Sequence, residues 1–305
     1  MSLTKEFTHL TRHIAPSTLQ HVHSRIEQLL LNTSSKIIGT TWTTPSWTQA
    51  KLPIKKSGLA IPDIKDTNNA GYAASFRESI PHLSKTFPSI ALMLNNRNNN
   101  CAPIREYDTC IQYIKENTSN GCYHLIDQQP PTSRFQQLFM DAIHERKHSK
   151  VVETSPSSED KARIRASEGE TAGAFLWTIP TTPNTTIPNS ALKTAIKRRV
   201  GLNLQVPGIC KCGKAISATG SHILTCTHGV GNHLRHNQVK HLLLNFSRRA
   251  GYSVQDEPTL LHDLAASKKG KRGDGLIYHA SHEGKNIIFD TPKAPRTSRL
   301  EPIRT

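Results

Sequence analysis

The sequence predicts an α+β protein, in which a mostly helical N-terminal region precedes a small C-terminal domain of one helix and three strands. Apolar residues recur at i, i+3 and i+4 through the first two hundred residues, and short β-prone runs separated by turn-forming residues follow Val206. No apolar run approaches the ~20 residues that a membrane-spanning helix requires. The first residues also lack the apolar core of a signal peptide. We therefore expect an intracellular protein that neither spans a membrane nor is secreted.

Start signals and apolar stripes predict four helices in the N-terminal region. They begin near Pro16, Ala70, Ser133 and Asn189, and the last of them runs to Arg199. Segments rich in Asn, Pro, Ser and Thr separate these helices, as is typical of loops. The segment 154–160 (TSPSSED) is the best candidate for a linker at a domain boundary.

One helix and three strands are predicted in the C-terminal domain. The helix, Leu234–Arg249, has apolar residues at helical spacing and ends ahead of Gly251, which can adopt the positive φ of a C-cap. The β-prone runs are Tyr252–Val254, Leu276–Tyr278 and Ile287–Phe289, and a turn-like segment joins the last two as a hairpin.

The chain is strongly basic, with 39 Lys and Arg against 23 Asp and Glu and a formal net charge of +16. Residues 187–305 hold 19 of these Lys and Arg, 7 of the Asp and Glu, and eight of the 16 histidines. Because phosphate is the commonest polyanion that a basic intracellular surface meets, we expect DNA or RNA as the partner of this part. A solvated basic face is the alternative. Hydrophobic residues make up 35% of the chain, which predicts that part of it is thinly packed.

Three of the six cysteines form a spacing that is typical of a structural zinc site. Six cysteines are too sparse for a disulfide scaffold in a chain of 305 residues, and this favours a reducing compartment. The pattern C-x-C-x9-H-x3-C offers zinc three thiolates and one imidazole, from Cys210, Cys212, His222 and Cys226. A turn helped by Gly213 would bring the first two ligands together, and one helical turn separates the last two. His228 or His233 could replace His222, and three buried cysteines beside a surface histidine are the alternative without a metal.

Three acidic residues flank the predicted strands. Glu257 follows the first strand, Asp274 begins the second, and Asp290 ends the third. Carboxylates at the ends of neighbouring strands converge, and Mg²⁺ prefers such oxygen ligands and can activate water for phosphodiester hydrolysis. The nearby basic residues that could hold a nucleic-acid backbone are Lys268, Lys269, Lys271 and Arg272. By spacing alone, salt-bridge partners in a basic domain are the simpler interpretation of the three acids.

Several runs of residues together resemble a known family. They are CKCGKAISATGSHILTC, LRHNQVKHLLL, GYSVQDEP, KRGDGLIY and NIIFDT, preceded by SGLAIPDIKDTNNAGYAAS, RIRASEGETAGAFLWTIP and ALKTAIKRRVGL. In this order they resemble the C-terminal part of a non-LTR retrotransposon reverse transcriptase polyprotein. That part contains the segment after the polymerase, a zinc knuckle and a restriction-endonuclease-like domain. The resemblance covers most of residues 1–290.

The resemblance implies a PD-(D/E)xK nuclease fold that nicks target DNA with Mg²⁺, behind a knuckle that binds structural Zn²⁺. It maps the knuckle to Cys210, Cys212, His222 and Cys226, a basic motif to Arg235-His236-Asn237, and the catalytic residues to Glu257, Asp274, Asp290 and Lys293. The residues predicted to contact DNA or RNA are Lys197, Arg198, Arg199, Arg235, His236, Lys268, Lys269, Lys271 and Arg272. It also implies a nuclear location, which the basic cluster 268–272 supports.

The expected domains are a helical post-polymerase region (1–153), a helical linker (161–206), the zinc knuckle (207–232) and a truncated endonuclease-like αβββ domain (233–305).

The chain also departs from the family. It contains no Asp-Asp pair of a polymerase palm, so we do not expect reverse transcription by this chain alone. Asn237 replaces a frequent Asp, Gly273 replaces a Pro, Lys293 lies one place late, and 15 residues follow Asp290. Two hypotheses remain: a Mg²⁺-dependent DNA endonuclease, and an inert nucleic-acid-binding remnant or partly folded pseudogene product.

Overall fold

Helices dominate the computed structural model of this chain, and small antiparallel sheets complete an α+β fold as the sequence predicts. The residues described are 9–89, 92, 101–119, 134–181, 186–204, 208–226, 228, 230–258, 274–281 and 284–289. The chain divides into two units, Met1–Leu202 and Asn203–Thr305. Within the described ranges, no helix is both long and apolar enough to cross a membrane.

The first unit is helical. Its helices are α1 (Pro16–Ile38), α2 (Thr44–Ala50), α3 (Ile64–Thr86), α4 (Ala102–Glu116), α5 (Phe135–Glu153), α6 (Ser158–Ala166) and α7 (Asn189–Arg199). The four predicted helices are confirmed as α1, α3, α5 and α7. Helix α3 begins earlier than the sequence predicts because the Asp63 side chain accepts a hydrogen bond from the backbone N–H of Asp66 and so caps the helix.

Small residues on α3 allow its neighbours to pack closely. Ala70, Ala73 and Ala74 are fully buried and belong to one core cluster with Phe139 and Ile143 of α5 and with Cys110 and Ile114 of α4. A second cluster joins α1, α2 and the residues that follow α7 through Ile38, Trp47, Ala50, Val200 and Leu202. These clusters account for the apolar stripes in the sequence of this unit.

The predicted linker at 154–160 is wrong, because its second half is the start of a helix. The Ser157 hydroxyl accepts a hydrogen bond from the backbone N–H of Asp160 at 3.0 Å and caps α6. Glu159 and Asp160 lie in the first turn, where negative charge interacts favourably with the helix dipole. Ile164 of this helix is fully buried in a cluster with Leu52 and Val151, so the segment is part of the first unit.

From Val230 onward, the second unit has the predicted order of helix, strand, strand, strand. Its elements are β1 (Gly208–Ile209), β2 (Ala215–Ile216), α8 (Ser221–Thr225), α9 (Val230–Arg249), β3 (Val254–Asp256), β4 (Gly275–Ile277) and β5 (Ile287–Phe289). Strands β1 and β2 form a hairpin, and β3, β4 and β5 form an antiparallel sheet in that order. Asp256 pairs with Gly275, and Gly275 with Phe289, so one end of this sheet combines the end of β3, the start of β4 and the end of β5.

Helix α9 packs on the sheet with the face that carries Leu244, which is fully buried. The stripe of apolar residues that the sequence shows at helical spacing lies elsewhere on the helix. Its members are between 40% and 56% exposed; they are Val239, Leu242, Leu243 and Phe246. The residues one and two turns before Leu244 on the packed face are Lys240 and His236, both of which contact acidic residues.

Candidate metal centre and acidic sheet end

The predicted zinc ligands come together in the second unit. Cys210 follows β1 directly, and the hairpin turn places Cys212 two residues later. The backbone N–H of Gly213 donates to the Cys210 carbonyl at 2.8 Å, and Gly213 has a φ of 82°, which favours glycine. His222 lies in α8, and the backbone N–H of Cys226 donates to its carbonyl at 2.9 Å. The turn after Cys210 and the helical turn after His222 thus position two ligands each.

The four donor atoms of this Cys₃His cluster all lie within 4.8 Å of one another. Cys210 Sγ is 3.7 Å from Cys226 Sγ, and Cys212 Sγ is 3.1 Å from His222 Nε2. Tetrahedral zinc with Zn–S bonds of about 2.3 Å places two sulfurs about 3.8 Å apart. The cluster can therefore hold a metal ion such as zinc, for which thiolates and an imidazole are the usual structural ligands.

The surroundings of Cys210 favour the thiolate form that binds metal. A hydrogen bond from the backbone N–H of Cys212, followed by one from the His222 side chain, lowers the pKa of Cys210 to about 6. His228 and His233, the alternative histidine ligands, are exposed and lie outside the described cluster. The geometry therefore selects His222 among the three histidines that the sequence left open.

The two described acids of the predicted nuclease site meet at one end of the β3–β4–β5 sheet. The backbone N–H of Glu257 donates to the Asp274 carbonyl at 3.2 Å, and the N–H of Asp274 donates to the Phe289 carbonyl at 3.0 Å. Asp290 directly follows Phe289 in the sequence but lies outside the described residues, as does Lys293. The backbones of Glu257 and Asp274 are thus neighbours at this end of the sheet.

Helix α9 supplies polar partners for these acids. His236 Nε2 lies 3.1 Å from Asp274 Oδ1. Lys240 Nζ lies 2.7 Å from Glu257 Oε1 and 2.9 Å from Asp256 Oδ1. The hydrogen bond to Glu257, followed by that to Asp256, raises the pKa of Lys240. Metal ions at this sheet end would therefore compete with an ammonium group and an imidazole for the carboxylates.

Sequence reasoning missed Lys240 and Asp256. One signal was available for the lysine, because residues four apart lie on the same side of a helix and Lys240 is four residues after His236. The partner acids could not be identified in this way, since they follow α9 by at least seven residues and are positioned by the sheet register.

One of the predicted nucleic-acid contacts, Arg199, is buried in the structure. Arg199 is 5% exposed, and its guanidinium donates to the carbonyls of Gly58, Ala172, Ile54 and Ser167 at 2.5–3.0 Å. Arg199 therefore binds the backbone of the first unit, in place of the expected phosphate contact. Lys197 is half-buried and Arg198 is exposed in the last turn of α7. The backbone of Arg235 lies in α9 but its side chain is outside the described residues, as are Lys268, Lys269, Lys271 and Arg272.

Comparisons with known proteins return nothing for this chain. No protein-family model matches it, and neither a curated protein nor a solved structure does. The resemblance to retrotransposon polyproteins therefore depends on the motifs in the sequence, and the functional interpretation depends on the side-chain geometry of the second unit.

Proposed function

We propose that this chain is a zinc-stabilised nucleic-acid-binding protein of the retrotransposon polyprotein lineage that it resembles. The observation that carries the proposal is the Cys₃His cluster, whose donor atoms converge within 4.8 Å in the basic part of the chain. Strands of two residues and a helix of five are too short to be stable alone. A bound metal would supply the folding free energy that this segment lacks.

Basic side chains around the cluster support nucleic acid as the partner. Lys211 and Lys214 lie in the turn after Cys210 and are both exposed. Residues 187–305 carry far more basic than acidic side chains. Each lysine or arginine that contacts a phosphate releases counterions from the nucleic acid, so binding would weaken as salt increases.

Binding is tested with the full chain, zinc-loaded, against fluorescent duplex DNA and single-stranded RNA at several salt concentrations. We expect log Kobs to fall linearly with log[salt], by roughly 0.7–0.9 for each phosphate contact. A Cys210→Ser, Cys212→Ser double variant should bind more weakly, whereas Cys101→Ser, outside the cluster, should bind like the wild type. An affinity that does not depend on salt would contradict the proposal.

As a second candidate function, we propose that the second unit is a divalent-metal-dependent DNA endonuclease. The supporting observation is the position of Glu257 and Asp274 at one sheet end, joined by a 3.2 Å backbone hydrogen bond. Carboxylates of this kind hold hard cations such as Mg²⁺. When bound, the ion would activate water and neutralise charge on the phosphate. Glu257 and Asp274 would hold it.

Cleavage is tested by nicking of supercoiled plasmid with Mg²⁺ or Mn²⁺. We expect nicking by the wild type and its loss in Asp274→Ala. The control is Asp108→Ala, which removes an exposed acid of α4 in the first unit. Nicking that survives Asp274→Ala would assign the activity to another site or to a contaminant, and would contradict the endonuclease proposal.

A further inference from the structure

Two thiols of the Cys₃His cluster lie in contact with each other. Cys210 Sγ is 3.7 Å from Cys226 Sγ, and a disulfide needs its two sulfurs about 2.05 Å apart. Cys210 directly follows β1 and Cys226 directly follows α8, so the two sulfurs come from opposite ends of the segment. A movement of less than about 2 Å would therefore allow a bond between them.

The same two thiols differ in their access to solvent. Cys210 is half-buried, whereas Cys226 is 7% exposed. A small oxidant in solution therefore reaches Cys210 first, with Cys226 in contact behind it. Redox-sensing cysteines have this arrangement, in which an accessible thiol is oxidised and a neighbouring resolving cysteine then attacks it.

The third thiol of the cluster has a different neighbour. Cys212 Sγ lies 3.1 Å from His222 Nε2, although all four donor atoms are within 4.8 Å of one another. The cluster thus consists of a sulfur–sulfur pair and a sulfur–imidazole pair. Of the three possible disulfides among its cysteines, the geometry favours the one between Cys210 and Cys226.

We propose that the cluster is a redox switch, in which a peroxide converts Cys210 and Cys226 into a disulfide, zinc is lost and nucleic-acid binding weakens. This inference rests on the proposed zinc-stabilised nucleic-acid-binding function. Loss of two ligands leaves Cys212 and His222, whereas structural zinc sites use four protein ligands. Without the metal, the two-residue strand β2 and the five-residue helix α8 lose the folding free energy that stabilises them.

The oxidation takes place in two steps. The Cys210 sulfur attacks one oxygen of hydrogen peroxide, the O–O bond breaks, and hydroxide leaves as Cys210 becomes a sulfenic acid. The Cys226 sulfur then attacks the sulfenic sulfur, the S–S bond forms, the S–O bond breaks, and a second hydroxide leaves. The two thiolates lose two electrons to the peroxide, and the two hydroxides take up protons to give water.

The experiment treats the full, zinc-loaded chain with hydrogen peroxide and then removes the excess with catalase. A chromogenic chelator measures the zinc released, mass spectrometry after alkylation maps the disulfides, and fluorescent duplex DNA reports the affinity. We expect about one zinc released for each disulfide formed, since one ion binds four ligands. The affinity should fall to that of the Cys210→Ser, Cys212→Ser variant. Dithiothreitol followed by zinc should restore it.

Two variants test which thiols react. Cys101→Ser is the control, because Cys101 lies in the first unit, and it should release zinc and form the disulfide like the wild type. Cys212→Ser should still form the Cys210–Cys226 bond, because Cys212 takes no part in it. If that variant does not fold, the wild-type disulfide map decides. A bond from Cys210 to Cys212 in the wild type, or unchanged DNA affinity after oxidation, overturns the inference.

Failure of the switch and failure of the proposed function give different results. A wild type that contains zinc and binds DNA in a salt-dependent way, but keeps its zinc in peroxide, overturns the switch and leaves the function in place. A wild type that takes up no zinc and whose affinity does not depend on salt overturns both.

Discussion

Cys210 Sγ and Cys226 Sγ lie 3.7 Å apart, although the two residues are separated by 16 positions in the chain. Between them lie a turn, the two-residue strand β2 and the five-residue helix α8. Such short elements bury little apolar surface, and Cys226 is the one buried cysteine of the four-residue cluster. The packing of these short elements therefore contributes little to keeping the two sulfurs at this distance. A bound metal would stabilise the same elements far more.

Removal of zinc should unfold the segment 208–226. We expect the purified chain to contain one zinc per molecule, and Cys212→Ala to contain much less, since loss of one thiolate leaves three ligands. Chelation should expose the amides of this segment to hydrogen exchange while those of α3 and α5 stay protected. Zinc content by elemental analysis and exchange by mass spectrometry provide the measurements. Cys101→Ser is the control and should retain zinc; full zinc content in Cys212→Ala would exclude the proposed ligand set.

Local patterns in the sequence were sufficient for the metal cluster and for most of the fold. The C-x-C turn and the His-x3-Cys spacing depend on residues a few positions apart, so backbone geometry alone brings the ligands together. Strand β5 lies where the sequence predicts it, and β3 and β4 are displaced by two residues and one residue. In the first unit, apolar periodicity and start signals predicted α1, α3, α5 and α7, but they did not predict α2, α4 and α6.

Contacts between distant segments could not be predicted. The acceptors of Arg199 are carbonyls of two loops, and nothing in the run KRR distinguishes this arginine from its exposed neighbour Arg198. In α9, hydrophobicity predicts that the stripe that includes Leu242 packs on the sheet. The face that does pack on the sheet carries Lys240. The burial of a charged residue depends on partners that the tertiary fold supplies, and spacing along the helix does not encode them.

Replacement of Arg199 by Met should destabilise the first unit by at least about 3 kcal/mol, because buried carbonyls lose charged hydrogen bonds. Guanidine unfolding followed by tryptophan fluorescence measures this, since all three tryptophans lie in the first unit. Arg198→Met, at the exposed neighbouring position, should change stability by less than about 0.5 kcal/mol. If Arg199→Met weakened DNA binding without altering stability, the structural role would be wrong.

The first unit should lose stability as the pH falls from about 6.5 to about 4. Burial, followed by the nearby Lys147, lowers the pKa of His144 from 6.5 to about 4. In this range the unfolded chain binds a proton that the folded chain does not, so acid favours unfolding. Stability from this group is complete above pH 6.5, and roughly 3 kcal/mol is lost by pH 4. The free energy of unfolding, measured with denaturant at several pH values, should depend less steeply on pH in His144→Gln than in the wild type. In His82→Gln, which alters an exposed histidine of α3, this pH dependence should be unchanged.

Gly275→Ala should destabilise the β3–β4–β5 sheet. A Cβ at this position would lie 2.4 Å from the ring of Phe289 and 3.1 Å from Leu244 Cδ2, so the stiff ring or the helix must move. Overpacking of this kind costs about 1–3 kcal/mol. The opening free energy of the sheet amides, from hydrogen exchange, measures the effect. Gly208→Ala is the matched control in the same unit, because a Cβ there has no atom within 4 Å and the φ of Gly208 is not positive. Equal exchange rates of the sheet amides in the two variants would mean that Phe289 does not pack against Gly275. The antiparallel register, which brings Glu257 and Asp274 to one end of the sheet, would then be different in solution.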